Sequence, residues 1–164
     1  MSTTITPSDF TSSLTDNLSL NTRDFGSSNT YTQTDCTEAD HRIVNVALKA
    51  DSESAATWTE LFYYDTSNQQ GQAILTEFEY VRLTNLDNTN YCIVQFEMNV
   101  ANTFLNIKLG AGQSFMLQNS NIVVSTSAAP ATGYLNFRSI KKIRAAADTA
   151  ACNIEIVTVF KPAS

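Results

Sequence analysis

From Arg42 onward the chain is a succession of short segments in which apolar and polar positions alternate with a period of two. That period places successive side chains on opposite faces of a β-strand. RIVNVALK sets Ile43 and Asn45 against Val44, Val46 and Leu48. YCIVQFEM turns Cys92, Val94, Phe96 and Met98 one way and Gln95 and Glu97 the other. CNIEIVTVF opposes Ile154, Ile156, Thr158 and Phe160 to Asn153, Glu155, Val157 and Val159. WTELFYY, AILTEFEYVRL, TFLNIKL, QSFMLQ and NIVVST are further β-rich segments, and LNFRSIKKIRAAA fits either a strand or a short helix. Asn- and Asp-rich NLDNTN reads as a turn. The glycines of GAG read as a hairpin turn between TFLNIKL and QSFMLQ. About eight or nine short strands with polar turns predict an all-β fold, an antiparallel, jelly-roll-like β-sandwich. No long segment carries a helical period and no internal repeat is visible, which argues against α/β, propeller and solenoid folds.

Residues 1–40 follow a different pattern. Ser, Thr, Asn and Asp fill 25 of these positions, interrupted by Ile5, Phe10, Leu14, Leu18, Leu20, Phe25 and Tyr31. Such a segment buries too little apolar surface to fold alone. Phe10, Leu14 and Leu18 stand four apart, behind the helix-start residues Pro7-Ser8-Asp9. A short amphipathic turn is one reading. The preferred one is an extended N-terminal arm that docks each apolar side chain into a neighbour. The expected organisation is therefore an arm over 1–40 and a β-sandwich over 41–164.

The chain has 164 residues and a net charge of −6. One domain with a core fits that length, and a basic groove around nucleic acid does not fit that charge. Residues 1–100 hold 14 acids and 4 bases, whereas residues 101–164 hold 2 acids and 6 bases. This polarity suits head-to-tail packing of copies or docking on an oppositely charged surface. MSTTITPSDF has neither the basic region nor the apolar run of a secretory signal. No apolar stretch approaches the roughly 20 residues of a membrane-spanning helix. Cys36, Cys92 and Cys152 are odd in number and form no CxxC pair, which predicts free thiols in a reducing cytoplasm.

Candidate chemistry is sparse. TDCTEADH gathers Asp35, Cys36, Glu38, Asp40 and His41, the single histidine of the chain. A structural zinc site needs four Cys or His ligands, and no second pair exists. A calcium loop needs a glycine turn that the stretch lacks. It is read instead as a polar turn leading into a strand that starts at Arg42, with Asp40 and His41 where the arm leaves the sandwich. Glu77 and Glu79 share a strand face two residues apart, the pattern of a glycosidase acid–base pair, but Leu75, Val81 and Leu83 share that face too. KLGAGQSF lacks the rest of any phosphate-binding motif. Trp58, Tyr63 and Tyr64 offer a carbohydrate-stacking platform or simply core aromatics. Arg138, Lys141, Lys142 and Arg144 are candidates for electrostatic contact with a partner protein. No catalytic residue, metal ligand or cofactor is assigned, and a non-enzymatic binding or structural role is expected.

FLNIKLGAGQSFML and LNFRSIKKIRAAADTAACNIEIVTVF carry a resemblance over residues 90–160. The first resembles the "apolar strand, L-x-A-G-x-S/T-F, apolar strand" rhythm of small β-sandwich proteins in tailed-phage virions. The second is similar to such proteins in running I-x-x-I-x-A-x-A-D-T-A into a terminal strand. The resemblance implies a virion protein of the capsid decoration, or cement, type, with neck, tail and fibre components as relatives in style. It implies assembly in the bacterial cytoplasm and a homo-oligomer, dimer or trimer, bound to the major capsid protein or other virion proteins. It implies no nucleic acid, membrane or small-molecule substrate as partner.

Overall fold

A computed structural model describes residues 7–48, 58–63, 76–98, 104–118, 123–125, 134–136 and 140–162. The chain forms two compact units, residues 1–37 and 38–164.

Alternation governs the second unit. Its strands are β5 (Glu38–Val46), β6 (Thr59–Tyr63), β7 (Thr76–Asn85), β8 (Cys92–Met98), β9 (Phe104–Leu109), β10 (Ser114–Gln118), β11 (Val123–Ser125), β12 (Tyr134–Asn136), β13 (Ile140–Ala147) and β14 (Cys152–Pro162). One sheet runs β10-β7-β14-β5 and a second runs β6-β13-β8-β9, while β11 and β12 pair with each other. All these ladders are antiparallel. The chain changes sheet at nearly every step, and β8 to β9 is the one consecutive pair that stays in a four-stranded sheet.

The inward positions of both sheets form one core. Cys92, Val94, Phe96 and Met98 are buried, as are Ile154, Ile156, Thr158 and Phe160, as their alternation predicts. Across the inner face of the second sheet, Phe62, Ile143, Phe96 and Leu105 stand in register. Two aromatic pairs join the layers: Phe62 with Phe160 at 5.5 Å and Phe96 with Phe115 at 5.7 Å between ring centroids. The fold is an all-β sandwich of antiparallel sheets. Residues 140–147 are a strand at its centre, which resolves the strand-or-helix ambiguity of that segment.

GAG does not make a hairpin. β9 pairs with β8 while β10 pairs with β7, so the turn carries the chain from one sheet to the other. Gly112 has the positive φ, 67°, expected of a glycine turn, and Gln113 N donates to Gly110 O at 3.1 Å.

TDCTEADH is also rearranged. β5 starts at Glu38, so Asp40 and His41 lie within a strand, opposite Thr158 and Val157. Alternation then separates the cluster. Asp40 turns to Arg42 (3.2 Å), whose guanidinium donates to the Leu61 carbonyl on β6. His41 lies on the other face, 2.9 Å from Glu155, which also accepts from Arg82 at 2.9 Å. Cys36 is buried, with its thiol directed at the Gln33 carbonyl.

His41, then Arg82, holds the Glu155 carboxyl below its ordinary value of 4.5. A depressed carboxylate stabilises the fold above its unfolded pKa and stops doing so as pH falls through the folded one. Stability should therefore decline from about pH 4.5 downward, and Glu155→Gln should flatten that acid limb. Equal acid slopes in urea titrations of the two proteins would refute this.

Candidate functional site

The first unit is a β-hairpin. β1 (Ser8–Asp16) pairs with β4 (Ser27–Cys36), and β2 (Ser19–Leu20) pairs with β3 (Arg23–Asp24) near the tip. Thr supplies β-branching, and the segment alternates in hydroxyls where the sandwich alternates in hydrocarbon. Thr11, Ser13 and Thr15 stand opposite Thr32, Thr30 and Ser28, with Ser13–Thr30 and Thr15–Ser28 hydroxyl contacts of 3.3 and 3.2 Å. The other face brings Phe10 and Leu14 diagonally beside Tyr31, whose hydroxyl donates to Gln33. The helical turn considered for Phe10, Leu14 and Leu18 is absent, because residues 8–16 are extended and paired. The segment folds back on itself rather than running out as a single arm.

The tip turns at Asn21 and Thr22, both with positive φ. Gly26 admits no side chain there, because a Cβ would lie 2.6 Å from the Asp16 carbonyl oxygen. Of the apolar positions singled out in the sequence, Phe10 and Tyr31 are half-buried, whereas Leu14, Leu18, Leu20 and Phe25 keep 48–55% of their surface exposed. Ile5 lies outside the described residues.

The second candidate surface is the outer face of the β6-β13-β8-β9 sheet. Glu60, Arg144, Gln95 and Asn106 form one row across its four strands. Arg144 Nε donates to Gln95 Oε1 at 2.7 Å, and Gln95 Nε2 donates to Asn106 Oδ1 at 2.7 Å. The guanidinium carbon lies 4.9 Å from the Trp58 ring centroid and 5.8 Å from that of Phe104. In the next row Lys142 sits 3.0 Å from Glu60 and over the Tyr63 ring, and Lys141 reaches Glu97 at 3.9 Å. Lys108 lies over Tyr91. Among the described residues, neither Arg144 nor Lys108 has a carboxylate partner.

The structure thus brings Lys141, Lys142 and Arg144 together with Trp58 and Tyr63, which the sequence reading kept apart. Arg138 and Tyr64 lie outside the described residues. Gln95, Phe104 and Asn106 were missed, although the outward half of the period-two pattern in YCIVQFEM and TFLNIKL marks them.

The register of β7 shifts opposite Val159 and Phe160, leaving Glu79 as the extra residue of a bulge. Glu79 is buried. The three cysteines are buried and joined in no disulfide; burial, then the neighbouring Cys152 thiol, pushes Cys92 up to about 12. Among the described residues no group of three His, Cys, Asp or Glu is placed to hold a metal ion, and no helix is long and apolar enough to cross a membrane. No protein-family model, curated protein or solved structure matches the chain.

Proposed function

We propose that the chain is a structural protein of a tailed-phage particle, of the capsid decoration type. The observation that carries this reading is the hairpin, a unit of its own with Leu14, Leu18, Leu20 and Phe25 exposed. Two strands alone are marginal in water, and apolar side chains grouped near a hairpin tip favour a protein surface that covers them. The interleaved orders β10-β7-β14-β5 and β6-β13-β8-β9 read as jelly-roll winding, an architecture used in capsid proteins. A closed dimer or trimer would present several hairpins to equivalent lattice sites, and weak individual contacts would add through avidity. The major capsid protein is the proposed partner; attachment at the neck, tail or fibre is the alternative location.

Undecorated heads mixed with the full chain should retain it on sedimentation. A chain lacking residues 1–37 keeps all of β5 and should remain folded but unbound. A Leu18→Ser, Leu20→Ser, Phe25→Ser variant should lose about 100-fold in affinity, as expected when buried apolar anchors are replaced by polar groups. Full occupancy by the shortened chain would defeat the proposal.

A further inference from the structure

We propose that the outer face of the β6-β13-β8-β9 sheet binds an acidic saccharide, a sugar chain bearing carboxylate or sulfate groups, with Arg144 as its anion contact. This proposal rests on different residues from those of the hairpin and does not depend on the function assigned to it.

Arg144 is built into place. Its Nε is held by Gln95, which is itself only 8% exposed and fixed in turn by Asn106. That arrangement uses one edge of the guanidinium. Its two terminal nitrogens meet no carboxylate among the described residues. A planar donor pair oriented this way matches the two oxygens of a carboxylate or sulfate. Lys108, exposed and two residues along β9 from Asn106, adds a second positive charge that has no carboxylate partner among the described residues. Both cations belong to a chain whose net charge is −6, so local attraction for an anion here opposes the charge of the whole molecule.

The neighbours of Arg144 specify what else the anion carries. Trp58 and Phe104 flank the guanidinium, and Phe104 keeps 38% of its surface exposed. Aromatic rings offer faces for the C–H side of a pyranose, and the exposed amide of Asn106 offers hydrogen-bonding atoms for its hydroxyls. A peptide is disfavoured by position. Arg144 and Gln95 belong to β13 and β8, the two inner strands of the sheet, whose backbones are paired on both sides. Strand addition needs an open edge. Recognition at this face has to come from side chains.

Trp58 is the single tryptophan of the chain, so its emission reports on this face directly. The test titrates the full chain with hexagalacturonate, a heparin-derived hexasaccharide, neutral cellohexaose and hexaglutamate. At least one of the two acidic saccharides should change Trp58 emission, and which one does separates carboxylate from sulfate recognition. Arg144→Gln should weaken that binding by about tenfold or more, Arg144→Lys by less, and Phe104→Ala by about fivefold. Phe104→Ala alters a partly exposed ring and should melt with the parent chain, which keeps the test valid if Arg144 variants fold poorly. No binding of either acidic saccharide at about 5 mM, equal binding of cellohexaose, or unchanged affinity in both Arg144→Gln and Phe104→Ala would overturn the proposal. Hexaglutamate binding as tightly as the sugars would overturn it in favour of an acidic peptide.

Discussion

Phe96→Ala should lower the unfolding free energy by about 3–5 kcal/mol, the range for removing a fully buried aromatic ring. Phe96 is completely buried on β8, between Ile143 and Leu105 in its own sheet and against Phe115 in the other. Truncation removes that inter-sheet contact and leaves a cavity which β-sheets on both sides hold open. Phe96→Leu retains most of the volume and should cost under about 2 kcal/mol. Urea unfolding followed by Trp58 emission separates the two. Equal midpoints would mean that the layers close over the gap and that the packing is looser than the core contacts indicate.

Asn85→Ala should cost about 2–4 kcal/mol, more than its small volume warrants, because it strips one buried and three half-buried backbone groups of their partner. Asn85 is fully buried at the end of β7. Its amide nitrogen faces the carbonyls of Asn90 (2.9 Å), Leu109 (3.2 Å) and Gly110 (3.1 Å), and its carbonyl accepts from Asp87 N at 3.0 Å. One side chain therefore ties the 86–90 loop to the turn that crosses between sheets. Asp87 reinforces the loop: backbone N–H groups of Asn90 and Thr89 hold its carboxyl below the ordinary value. Asn85→Asp is close in shape but supplies only acceptors where donors are required, so it should be worse than alanine at neutral pH. If Asn85→Asp matched the parent chain in urea, the three carbonyl contacts would not be stabilising.

These two residues show how far the sequence was legible. Phe96 is readable because YCIVQFEM alternates without interruption, and burial follows from period alone. Asn85 is not, because the Asn that opens NLDNTN looks like one more turn residue until Leu109 and Gly110 arrive from 24 and 25 positions away. The strands of the sandwich were visible locally, but their partners were not. The GAG turn was misread as a hairpin for that reason: nothing in TFLNIKL or QSFMLQ says that β8 and β7, rather than each other, will be their neighbours. Arg144 raised attention only as one of a run of bases. Its meaning depends on Trp58, Gln95 and Phe104, which the sheet order delivers. The hairpin was missed by counting apolar residues, while the alternating threonines of TYTQT were the signal for a strand.

The strand order has a consequence for biosynthesis. β14, the last strand in the described chain, lies between β7 and β5 in its sheet. As the polypeptide leaves the ribosome, β5 and β7 emerge early but cannot pair with each other, and each must wait with unsatisfied edges for the strand that joins them. Contacts of such long sequence separation form slowly, and unpaired edges are open to aggregation meanwhile. The hairpin at residues 8–36 needs only local contacts and can form while the rest is still being made. The hairpin strands can pair before β14 exists, whereas the sandwich would close only after translation has passed β14.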